Sequence, residues 1–269
     1  MSKSIDKQIT QLSHQLKRYI NRQSNFNLTG VFNNVTNKVD SKWDVSSKVE
    51  NALADFLLKS LKEHRLLKDR KRHLNMVEKS IGVAATHEER QKAVRSFVLK
   101  GTLISSAQAG GAAIAGAPFT LIETINSLND LWDKLEIVAC MYGIEPYSPL
   151  EKVLILHILT LGFAETKDEK VQAYKAIVET ELLVETTTLS LKEQSHYFDS
   201  ESLSKNASHI ILKPLVTKKI SQTIPLIGFG LGSLSNGTMF QNCLRIAHLI
   251  YARRYLVQIQ KQKSGIMQK

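Results

Sequence analysis

Apolar residues recur along this chain at three- and four-residue intervals, so it reads as a succession of helices. Ile5, Ile9, Leu12, Leu16 and Ile20 trace the first. Asn25, Asn27, Gly30, Asn33 and Asn34 then interrupt it with turn-forming residues, which makes 1–43 a polar arm carrying a peripheral helix and a loop. From Asp44, an expected N-cap, the run Val49, Leu53, Phe56, Leu57, Leu61 marks one helix face. The opposite face becomes basic through Lys59, Lys62, Arg65, Lys68, Arg70, Lys71 and Arg72. Ile122, Ile125, Leu128, Trp132, Leu135, Ala139 and Tyr142 predict a long amphipathic helix stopped at Gly143, ahead of Pro146. Ser148 as N-cap, Pro149 at the first helical position and Glu151 reaching back spell a capping box. The helix it opens is apolar nearly all round from Val153 to Leu161, which makes it central. His157 within it reads as a core residue, since no second ligand lies three or four positions on. An acidic helix follows over Asp168 to about Leu191, weakened by the β-branched Thr186, Thr187 and Thr188. Another runs over about 202–223, and a last one follows Phe240, Leu244, Ala247, Tyr251 and Tyr255 to Lys263.

Two segments break this pattern. Residues 101–122 and 220–244 carry no charge, yet both are rich in small or polar residues and weak in the large apolar ones a lipid-exposed span needs. Ala107, Gly111 and Ala115 recur every four residues, and Gly228 and Gly232 repeat that spacing; such faces let helix backbones approach closely. Close packing is therefore expected at Gly110, Gly111, Gly116, Pro118, Pro225, Gly228 and Gly232. The expected architecture is all-α: a single multi-helix bundle over 44–263 with two Gly-rich helical hairpin segments, the N-terminal arm, and a tail over 264–269.

The net charge of +11 is segregated: residues 1–100 carry +10, 101–201 carry −9, and 202–269 carry +10 without one Asp or Glu. An acid-free stretch of that length suits an anionic partner, with Arg253, Arg254, Lys261 and Lys263 as candidate lipid contacts following an aromatic and aliphatic helix face. The alternative is that these cations pair with acids of the middle block such as Glu179, Glu181 and Glu185. The two cysteines, Cys140 and Cys243, lie inside apolar helical patterns and read as buried thiols of a reducing compartment. The polar start lacks the apolar run of a signal peptide, which gives the expectation of a cytoplasmic protein, peripheral to the inner face of the membrane.

Gly110-Gly111 through Gly116-Ala117-Pro118, with Met141-Tyr142-Gly143-Ile144 and Pro149-Leu150-Glu151 behind, form one block. Ile224-Pro225-Leu226-Ile227-Gly228 through Gly232 and Asn236, closing with Ala247, Tyr251, Arg253-Arg254 and Leu256, form a second. In this order the two blocks resemble the EcsC family over 99–256. The resemblance implies a bacterial protein of a family named for a gene beside an ABC transporter linked to secretion, and it transfers no catalytic residue.

No nucleotide-binding, zinc-hydrolase, thiol-redox or serine-hydrolase motif is present, and no cofactor is implied. Asp130, Asp133 and Asn236 form the candidate polar site. Asp133 and Glu136, three residues apart, are close enough for a metal, although exposed carboxylates on an amphipathic helix share that spacing. The favoured function is a membrane-peripheral accessory protein whose partner is an anionic membrane surface or a membrane protein. A hydrolase of a lipid or peptide and a soluble module binding nucleic acid or protein are the alternatives.

Overall fold

The computed structural model describes residues 2–22, 43–63, 67–82, 85–99, 121–222 and 228–265, all helices and short connections. The helices are α1 (Ser2–Asn21), α2 (Trp43–Lys62), α3 (Leu67–Ile81), α4 (87–99), α5 (Leu121–Met141), α6 (Pro149–Phe163), α7 (Lys167–Thr186), α8 (Leu191–Tyr197), α9 (Ser200–Gln222) and α10 (Gly228–Lys263). The expected all-α bundle is what forms.

α6 is the centre. Every residue from Leu150 to Phe163 is buried, because α2, α5, α7, α8, α9 and α10 all touch it. A helix with neighbours on every side has no polar face to keep, and each fully buried Leu or Ile contributes roughly 1.5–3 kcal/mol of apolar transfer. Its entry is as expected at Ser148, whose side chain accepts from Glu151 N at 3.3 Å with Pro149 following. The Glu151 carboxylate, however, crosses to Arg254 instead of closing a capping box. α5 ends where glycine dictates: Gly143 has φ +72°, with Gly143 N donating to Cys140 O at 2.9 Å and Ile144 N to Ala139 O at 3.1 Å.

Three elements differ from the periodicity reading. α1, expected to be peripheral, buries Leu12, Leu16 and Ile20 in the common core and packs on α10 and α7. The basic run after Leu57 belongs to two helices, with Lys68 to Lys79 on α3, which packs on α5. The acidic helix stops at Thr186, in the β-branched run, and a second capping box, Ser190 with Glu193, opens α8.

Gly110, Gly111, Gly116, Pro118 and Pro225 lie outside the described residues; Gly228 opens α10 and Gly232 is one turn further on. A close helix crossing does occur at Gly162 on α6. A Cβ there would lie 2.2 Å from Cys243 Sγ and 3.1 Å from the Cys243 Cα and N on α10. The thiol can rotate away but the backbone cannot, so Gly162→Ala is expected to cost about 1–3 kcal/mol through overpacking. Urea unfolding measures it, and an unchanged midpoint would refute the close crossing.

Candidate functional site

α3 presents two chemically different faces. At 100° per residue Lys68, Lys71, Arg72, Asn75 and Lys79 fall on one side and His73 on the other. Packing of α3 on α5 buries His73 completely. Its Nε2 lies 2.8 Å from Asp133 Oδ1, and its Nδ1 lies 2.9 Å from the Tyr147 hydroxyl. Arg72 also bonds Asp133. One turn along α5 the buried Glu136 accepts from Trp132 Nε1 at 2.9 Å. His73, Asp133 and Glu136 thereby bring ligand-type atoms within 4.8 Å of one another.

Burial pushes the Asp133 carboxyl up, but the hydrogen bonds and charges of His73 and Arg72 outweigh it and hold the carboxyl below its usual range. Burial and the neighbouring Cys140 push the Tyr147 phenol well up, and burial raises the Cys140 thiol to about 11. At neutral pH, then, Asp133 is an anion, while Tyr147 and Cys140 keep their protons. The proton between the ionised Asp133 and His73 belongs to the ring, whose Nδ1 bonds the Tyr147 hydroxyl. This chain can orient a ligand or relay a proton, but Tyr147 and Cys140 supply no ionised nucleophile.

Two surface depressions flank the chain. Arg72 lines one of about 620 Å³ with Lys68, Lys71, Asn75, Met76 and Lys79. Tyr147 lines one of about 810 Å³ with Lys152, Ser195 and His196. Buried His73 and half-buried Asp133 join the two.

Of the expected polar site, Asp133 is in this cluster. Asp130 instead turns outward to Lys134 at 2.5 Å, and Asn236 lies on α10. Of Asp133 and Glu136, which share the spacing of exposed carboxylates, Glu136 is fully buried and Asp133 is half-buried, bonded by His73 and Arg72 of α3. His73 and Tyr147 were missed by the sequence reading; the available signal was one histidine opposite a lysine stripe. Arg254 makes a fully formed buried pair with Glu151, one bond at 2.8 Å, with both side chains 5% exposed. Arg253 pairs with Glu181, and Lys261 with Glu185 at 3.0 Å, while Lys263 is exposed. Three of the four candidate lipid contacts thus face acids of the chain's own middle block. His157 is buried, and its imidazole is pushed down to about 4 by desolvation. Both cysteines are buried free thiols.

The fold and this site define an all-α helical bundle with a buried His–carboxylate cluster beneath a cationic helix face. The chain belongs to the EcsC protein family, whose model matches residues 3–256. That match takes in α1 to α4, well beyond the 99–256 over which the residue blocks carry the resemblance. Among curated proteins and among solved structures, none matches the chain. Among the described residues, no helix is long and apolar enough to cross a membrane.

Proposed function

We propose that the protein is a membrane-peripheral accessory protein that docks on an anionic phospholipid surface through the outer face of α3. The observation that carries this reading is the cation stripe Lys68, Lys71, Arg72, Lys79. Its three lysines have no ion-pair partner among the described residues. Leu74, 61% exposed, lies beside the stripe as an apolar group available for insertion. The basic C-terminal residues are less available for this role, since Arg253, Arg254 and Lys261 already neutralise Glu181, Glu151 and Glu185. A role at a membrane agrees with what the family resemblance implies, an accessory protein linked to ABC-transporter or secretion processes.

Each lysine near an anionic surface contributes about 1 kcal/mol. Replacing Lys68, Lys71 and Lys79 together by Gln is therefore expected to weaken vesicle binding by about two orders of magnitude. Co-sedimentation with phosphatidylglycerol and with phosphatidylcholine vesicles over a salt series measures it. Binding should favour the anionic vesicles and fall as salt rises. Equal, salt-insensitive sedimentation with both lipids would overturn the reading. Selective binding of duplex DNA, lost in the triple variant, would replace the membrane with nucleic acid.

A further inference from the structure

The geometry points to a binding site for one divalent transition-metal ion, with His73 Nε2 and the carboxylates of Asp133 and Glu136 as its ligands. The three atoms lie within 4.8 Å of one another. Two come from one face of α5, a helical turn apart, and the third from α3 packed across it, the way facing helices of a bundle build a metal site in their core.

Each ligand is also held in place by a different neighbour. The Tyr147 hydroxyl grips His73 Nδ1 at 2.9 Å, Trp132 Nε1 grips Glu136 Oε1 at 2.9 Å, and Arg72 grips Asp133. Outer contacts of this kind fix the imidazole tautomer and orient carboxylates before any ion arrives. A set of one imidazole and two carboxylates suits zinc, manganese or iron(II) better than calcium or magnesium, which prefer oxygen alone. Three protein ligands would leave a coordination position for water or a substrate oxygen.

Occupancy rearranges the hydrogen bonds of the cluster. His73 Nε2 and Asp133 Oδ1 are 2.8 Å apart, sharing a proton; around a tetrahedral ion with bonds near ~2.0 Å the same atoms stand about 3.3 Å apart. The ion takes the place of that proton, and with Nε2 on the ion the ring carries its proton at Nδ1. Nδ1–H then donates to the Tyr147 oxygen, and the Tyr147 proton turns to Cys140 Sγ, 3.7 Å away. The half-exposed Arg72 guanidinium lies over Asp133.

The test uses Co²⁺ as the probe, followed by its visible absorption and by calorimetry on the full chain stripped of metal. The expected result is one Co²⁺ per chain with the intense absorption of a low-coordinate site, displaced by Zn²⁺. Glu136→Gln keeps an oxygen for Trp132 but removes a charged ligand, and should abolish the absorption while circular dichroism reports an intact fold. Tyr147→Phe, which touches no ion, should weaken Co²⁺ binding about 10–100-fold by freeing the imidazole. Absence of stoichiometric Co²⁺ binding by the unaltered chain would overturn the site, whatever the variants do. So would binding that folded Glu136→Gln leaves unchanged.

Discussion

Replacing Arg254 by Met is expected to lower the unfolding free energy by about 3–5 kcal/mol, because it strands the Glu151 carboxylate in the interior. Both partners are 5% exposed, and both guanidinium terminal nitrogens bond Glu151. Burial disfavours the charged guanidinium, but the Glu151 hydrogen bonds and charge more than offset this and push its pKa up. The pair joins α6 to α10, so its loss loosens the central helix from its longest neighbour. A Glu151→Met/Arg254→Met double variant should regain most of the loss, since well-packed apolar residues often substitute for a buried pair at little cost. Urea unfolding of both single variants and the double gives the coupling directly. A single variant costing under about 1 kcal/mol would place the pair with exposed ones, such as Lys261 and Glu185, which are about 40% exposed.

The second large effect is acid lability between pH 6.5 and pH 4.5. Burial pushes His157 and His248 each down to about 4, with Arg95 and His87 adding to it at His248. A histidine depressed in the fold binds its proton more readily when unfolded. Its contribution is therefore complete above pH 6.5 and is lost as pH falls toward 4. The loss is about 2 kcal/mol per histidine by pH 5 and about 3 near pH 4. Glu169, held at about 2, contributes above pH 4.5 and loses that contribution only below it, so it does not account for the upper window. Glu181, pushed up mainly by burial, acts in the opposite direction. Melting temperatures from pH 7.5 to 4.5 should fall steeply for the unaltered chain and less for His157→Met. Parallel profiles would show that His157 does not carry the effect.

Legibility followed the range over which each feature is encoded. The all-round apolar run of α6, its Ser148-Pro149 entry and the Gly143 stop of α5 are local, and the structure has each of them. Features that need a distant partner went unread. The spacing of Asp133 and Glu136 is the same on an exposed helix and on a covered one, and only α3, 60 residues earlier, decides between them. Glu151 satisfies the local pattern of a capping box, yet a guanidinium 103 residues away outcompetes one backbone N–H for its carboxylate. The small-residue rule pointed to the Gly-rich segments, while the described crossing is at Gly162, a lone glycine inside an apolar run.

By itself, then, the sequence determined the all-helical class, the entry and central place of α6, the Gly143 stop of α5 and the division of charge into blocks, because periodicity and capping act within a few residues. Only the tertiary structure decided which cations are spent on internal pairs and which stay outward on α3, and that His73 meets Asp133 and Tyr147. Those outcomes depend on which helix faces pack together, and packing couples residues far apart in the chain that carry no mark of each other in the local pattern.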